Sequence, residues 1–415
     1  MDRRAVAARF SATRRKGGLV NRWRTISRVL AGLAAVVVAG CAGRPVAGLR
    51  GTGDLGIVIE RASGSVQIVD HSGRRSLGRI EGLGDLSHAH ATVSRDGRYA
   101  YVFGRDGGLT KLDLLAGRID RRIIQAGNSI GGSISQDGRL VVAQNYQPGG
   151  IKAFDADTLA PVAEVAAEYA PGRFSKVVGL ADVPGQGFAY ALFDAGEIWV
   201  TDFTDPSAPR TRRFAAGKQP YDGLVTPGGR YFMAGLFGED GIALLDLWQP
   251  EQGVRRILDG YGRGEDKLPV FKMPHLRGWA VADGKAYLPA VGRHEVLVVD
   301  VTDWREVGRI AVAGQPVFVM ARPDGRQVWV NFAFPDNALV QVIDTLEGAV
   351  IDTLSPGRAV LHMEFTPRGE AVWVSARDDD RVTVYDTATR KALAVLPARA
   401  PSGIFFTARA ARIGF

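Results

Sequence analysis

The chain reads as an all-β protein, an eight-bladed β-propeller built from four-stranded antiparallel blades. Three observations predict this. A strand ending in aspartate recurs eight times, at Asp70, Asp113, Asp155, Asp202, Asp246, Asp300, Asp344 and Asp386, with intervals of 42 to 54 residues. An alternating strand precedes each, often introduced by Asp-Gly or Gly-Gly (DGRYAYVFG, DGRLVVAQN, GGRYFMAG, DGKAYLPAV, DGRQVWVNF), and another follows after a short turn (GRIDRRIIQAG, WREVGRIAVAG). No helical periodicity of useful length interrupts the series, and 52 glycines suit a turn-dense fold. Asp and Gly at the junctions supply the positive-φ chemistry of tight turns. Four short strands per roughly 40–45 residues is the pattern of propeller blades. A row of β-sandwiches would need domains of about 100 residues joined by linkers, and no linker is visible.

The ends fit the same scheme. Residues 53–80 hold only three strands of blade one, and the tail SGIFFTARAARIGF follows a complete eighth blade. The tail is expected to pair as the missing innermost strand, closing the ring and removing an open edge.

The formal charge of +8 suggests nucleic acid until it is located. Residues 1–40 carry nine Lys/Arg against Asp2, so the rest of the chain is balanced. A neutral domain has no general pull on phosphate backbones, and no nucleic-acid partner is expected. That first segment has a basic stretch ending at Arg28, the apolar run 29–39, and then Val38-Ala39-Gly40-Cys41. The run covers about half of the ~20 residues a spanning helix needs, so it reads as a signal-peptide core. Small residues before the single Cys41 suit lipoprotein processing and lipidation of its thiol. The expected organisation is a signal peptide over 1–40, a lipidated tether over 41–50 and the propeller over 51–415. The protein is then periplasmic and held at a membrane by its lipid alone, the outer membrane favoured. The export route stays open: Arg14-Arg15 forms a twin-arginine pair, but Lys16, Gly17 and Gly18 follow where an aromatic is usual.

With strands A to D running outward in each blade, the D–A and B–C loops share one face, here called upper. It collects His88, His90, His275 and His294, with His362 on a strand near its rim, while His71 falls on the lower face. Arg105, Arg173, Lys176, Tyr146 and Tyr221 join the upper set. Imidazole ligates iron, Arg pairs with carboxylates, and aromatic rings can flank a macrocycle, so the mixture suits a flat, polyanionic, aromatic ligand. No Cys-x-x-Cys-His for covalent heme, no zinc spacing, no phosphate-cradling glycine loop before a helix and no nucleophile elbow occurs.

With these residues goes a resemblance. The stretches RGTGDLGIVIERASGSVQIVD, GRIEGLGDLSHA, SRDGRYAYVFGRDGGLTKLDLL, QAGNSIGGSISQDG, NYQPGGIKAFDADTL, FDAGEIWVTDF, YFMAGLFGEDGIALLDLW and MPHLRGWA occur in order across 50–415. They resemble the NirF family of heme d1 biosynthesis propellers, related more distantly to the d1 domain of cytochrome cd1 nitrite reductase and its dehydrogenase relative. The resemblance implies heme d1 or an iron-tetrapyrrole precursor as ligand or substrate, either matured here, for instance by dehydrogenation, or handed on. The d1 dehydrogenase and cytochrome cd1 nitrite reductase are the implied partners. His88 in DLSHA matches the iron-ligating position, with His90 as the alternative. Arg105 in GRDGG matches a residue near the macrocycle's carboxylates. His275 in MPHLRG and Tyr221 in QPYDG match the distal side, and Tyr221 replaces a histidine there, which argues against nitrite reduction. Arg173, Lys176 and Tyr146 complete the expected tetrapyrrole contacts. A carrier without catalysis and a generic protein-binding propeller remain the alternatives.

Overall fold

A computed structural model describes residues 51–261, 278–290 and 293–408. Cys41, the leader and His275 lie outside them. Blade one holds β1 (Leu55–Glu60), β2 (Ser65–Asp70) and β3 (Arg75–Ile80). Blade two holds β4–β7 (His90–Val93, Tyr99–Phe103, Gly108–Asp113, Arg118–Ile124) and blade three β8–β11 (Asn128–Ile134, Leu140–Gln147, Ile151–Asp155, Pro161–Val165). A hairpin of β12 (Glu168–Ala170) and β13 (Arg173–Phe174) precedes blade four, β14–β17 (Val177–Val183, Gly187–Leu192, Glu197–Asp202, Arg210–Ala215). Blade five is β18–β21 (Pro220–Val225, Tyr231–Leu236, Ile242–Asp246, Val254–Ile257). Blade six is β22–β25 (Ala280–Ala282, Lys285–Ala290, Glu295–Asp300, Glu306–Ala311). Blade seven is β26–β29 (Pro316–Ala321, Gln327–Phe332, Val340–Asp344, Ala349–Leu354), and blade eight β30–β33 (Val360–Phe365, Ala371–Ala376, Arg381–Asp386, Ala392–Pro397). The last strand, β34 (Pro401–Phe406), pairs antiparallel with β1, so blade one has the order β3-β2-β1-β34. The eight sheets form a ring closed by that strand, as the sequence predicts.

The burial pattern explains why the middle strands read as continuous apolar runs. β1, β15, β27 and β31 are buried along their whole length between neighbouring blades. The outermost β7 and β33 instead alternate or face solvent. Trp199, Trp329 and Trp373 are fully buried. The recurring strand-end aspartates have a local cause. Asp113 accepts the N–H groups of Leu115 and Ala116 at 3.1 and 3.0 Å. Asp344 likewise accepts those of Leu346 and Glu347 at 2.8 and 3.0 Å. Each carboxylate thus satisfies the turn that follows it.

Glu60 is a buried knot beside the closure. It accepts Arg79 through both oxygens at 2.6 and 2.9 Å, together with Ser65, Gln67 and the Arg399 N–H. Burial alone would raise its carboxyl, but the bonds from Arg79, Ser65 and Gln67 outweigh it and pull the value from the ordinary 4.5 to about 2. A depressed value means stability that is fully present above about 4.5 and is lost as pH falls through about 2. Glu60→Gln should cost about 3 kcal/mol at neutral pH by stranding Arg79. The gap between wild type and variant in urea midpoint should narrow as pH is lowered from 5 towards 2; a constant gap would contradict this.

Candidate functional site on the upper loop face

Successive upper loops interlock. Arg105 N–H donates to Asp85 O at 2.8 Å, Gln125 N–H to Gly107 O at 2.9 Å and Ala216 N–H to Gly196 O at 2.8 Å, each tying a B–C loop to the neighbouring entry loop. Gly107 has φ 77°, and a Cβ there would lie 1.9 Å from the Ala126 carbonyl oxygen, so only glycine lets the two loops meet. Gly149, at φ 99°, packs in the same way on the Ser175 carbonyl. The face is therefore preformed.

Its cationic side lies on blades one, two and eight. Arg61, in the first B–C loop, is half-buried, and Arg105, in the second, is exposed. Neither guanidinium has a hydrogen-bond or ion-pair partner among the described residues. Burial, then the neighbouring Arg377 charge, lowers Arg61 from its ordinary value, and Asp85 only partly offsets this. Hydrogen bonds from Ser87 hold the Asp85 carboxyl below its usual range, helped by the charges of Arg105 and Arg61. One carboxylate thus serves two cations. By contrast, Arg377 and Arg358 are paired, with Asp378 at 2.6 Å and Asp379 at 2.7 Å.

The aromatic side lies on blades three to five. Phe193, Tyr221 and Phe237 pack mutually with centroids 5.9 to 6.1 Å apart. The Tyr146 and Tyr221 hydroxyls lie 3.4 Å from each other. Burial raises both phenols, most strongly Tyr221, so they stay protonated and can donate. The Arg105 charge acts on both phenols, linking the cationic and aromatic sides. Lys176 lies 4.2 Å above the Phe193 ring and 3.7 Å from Asp194. Arg173 is exposed on the hairpin, 5.0 Å over the Tyr169 ring.

The histidines separate. His88 is exposed in the loop between β3 and β4. His90 begins β4 and packs against Phe405 and Phe103, at 5.2 and 6.4 Å. His362 stacks on the same Phe405 at 5.7 Å, and its Nδ1 accepts the Ile404 N–H at 3.2 Å. His71 sits on the lower side as expected but is no surface bystander: it is buried, 4.8 Å from Phe406, with Nε2 3.1 Å from Gly53 O. Sequence reasoning missed Arg61 and the β12–β13 hairpin. An arginine directly after a buried strand was the only available signal for Arg61.

The eight-bladed ring that carries this loop face has known counterparts. A family model described as the cytochrome D1 heme domain matches residues 50–410, and the chain belongs to that family. Within it the chain stands with the NirF proteins. It is 62% identical over 390 residues to protein NirF of Pseudomonas aeruginosa, covering 93% of this chain and 99% of that protein. To protein NirF of Stutzerimonas stutzeri it is 60% identical over 386 residues, covering 92% and 98%. A solved structure titled dihydro-heme d1 dehydrogenase NirN in complex with DHE superposes with a TM-score of 0.75 at 26% identity, over 89% of this chain and 78% of that one.

Proposed function

We propose that the protein binds heme d1, or a late iron-tetrapyrrole precursor of it, on the upper face during heme d1 biosynthesis. The observation that carries the reading is the pair Arg61 and Arg105, two cations sharing the Asp85 carboxylate on the loop face that also holds exposed His88 and the Tyr146–Tyr221 phenols. Half-buried Arg61 and exposed Arg105 have only the Asp85 charge between them, and a ligand carboxylate would complete the compensation. The similarity to a dihydro-heme d1 dehydrogenase supports the ligand class. Iron that arrives inside a macrocycle would need only an axial ligand from the protein. In this reading His88 ligates the iron, Arg61 and Arg105 hold carboxylates, and Lys176, Arg173 and Tyr146 border the ring. Tyr221 and, by the family match, His275 would be the proton donors. The protein acts in the periplasm, lipid-anchored through Cys41. It hands the macrocycle to the d1 dehydrogenase and to cytochrome cd1 nitrite reductase, either unchanged or after a maturation step.

An absorbance titration with heme d1 tests binding: a ligated-iron shift is expected, and its absence would refute the reading. Incubation with a late precursor, followed by mass measurement, separates maturation from carriage. Arg61→Gln and Arg105→Gln should each weaken binding about tenfold, since a charge-assisted bond contributes about 1.5–3 kcal/mol. The band position should stay unchanged, because neither residue touches iron. Wild-type affinity in both variants would remove them from the site.

A further inference from the structure

We propose that the lower face of the propeller rests against a lipid surface, so that the ligand loops are turned towards the aqueous phase. The proposal rests on lipidation of Cys41, and it concerns what that anchor does to orientation. β1 runs from the lower to the upper face, so the chain enters the propeller from below. That entry is pinned. Leu55 N–H donates to Thr52 O at 3.1 Å, and Thr52 Oγ1 donates to Asp96 O at 2.9 Å. His71 Nε2 lies 3.1 Å from Gly53 O, Ser72 Oγ donates to Asp54 at 2.6 Å, and Thr407 Oγ1 donates to Leu55 O at 2.9 Å. The lower-face histidine thus belongs to the entry clasp. Nine residues lie between Cys41 and Gly51, and the ten residue steps fully extended reach at most about 35 Å. A lipidated Cys41 would therefore hold the lower face near the bilayer.

The same face carries side chains suited to that contact. Trp248 and Leu346 are each 65% exposed and Leu115 is 37% exposed, all in C–D turns. Tryptophan settles at the headgroup level of a membrane. Three of the eight strand-end aspartates here are held in ion pairs. Asp70, Asp113 and Asp246 are matched on this face by Arg75, Arg98 and Arg230 at 3.1, 2.9 and 2.7 Å. The upper face also exposes aromatics, Phe334 at 66% and Phe174 at 48%; the pinned entry decides between the two faces.

Blade seven supplies the test, since Phe334 and Leu346 lie at its opposite ends. Full-length, lipid-modified protein is reconstituted into phosphatidylethanolamine–phosphatidylglycerol vesicles. A fluorophore is placed at Leu346→Cys or Phe334→Cys, lipidation having blocked the native thiol. Headgroup-nitroxide lipid is expected to quench the Leu346→Cys probe several-fold more than the Phe334→Cys probe. Adding Trp248→Ser should reduce that difference while the protein still floats with the vesicles. Equal quenching, or stronger quenching at Phe334→Cys, with intact flotation overturns the orientation alone. Loss of flotation in the wild-type protein overturns the anchor and the orientation together.

Discussion

His88→Ala is expected to abolish the ligated-iron band that heme d1 produces with the wild-type protein. An iron–imidazole bond is direct, and alanine offers no donor in its place. His90→Ala should behave differently. Its ring is packed against Phe405 and Phe103, so the variant should lose stability while keeping the band. Spacing in the sequence leaves the two histidines interchangeable, and their different surroundings motivate the choice. His294→Ala, exposed in a B–C loop of blade six, is the control on the same face and should change neither property. His71→Ala cannot serve as a silent control, because His71 is buried against Phe406. Retention of the band in His88→Ala with its loss in His90→Ala would reverse the assignment.

The second large effect concerns closure. A chain ending at Ala400 loses β34 and should fail to give a cooperative unfolding transition, or should melt at least about 10 °C lower. Ile404, Phe405 and Phe406 are all buried. At about 1.5–3 kcal/mol each, their loss rivals the 5–15 kcal/mol that holds a typical domain together. It also opens the inner edge of β1. Phe406→Ala is the milder form, removing contacts with His71 and Trp373 at 4.8 and 5.6 Å. It should cost about 3–5 kcal/mol. A truncated chain melting like the full one in a thermal scan would mean that β34 does not seal the ring.

Blade number, strand order and closure were legible because each blade repeats its chemistry. A terminal aspartate must cap its turn, and a strand buried between two blades must be apolar throughout. The face of each loop followed from strand order alone, which is why the histidine partition could be read early. Two things were not legible. The β12–β13 hairpin is too short to show a period. The value of Arg61 lies in sharing one carboxylate, Asp85, with Arg105 in space, and a one-dimensional pattern cannot display that. The packing of His90 on Phe405 joins opposite ends of the chain, so alternation within blade two could not foresee it.

Closure by the last strand also orders events in time. Gly56 pairs with Phe406, so synthesis supplies one side of this pairing at the start and the other at the end. Blades two to eight can form from neighbouring segments, with local contacts offsetting small loop-closure losses as they appear. Blade one must wait as a three-stranded sheet with its inner edge open. Pairing between such distant segments is slow in proportion to the contact separation it demands. Assembly therefore has a fixed finishing step: the first blade to leave the ribosome is the last to be completed.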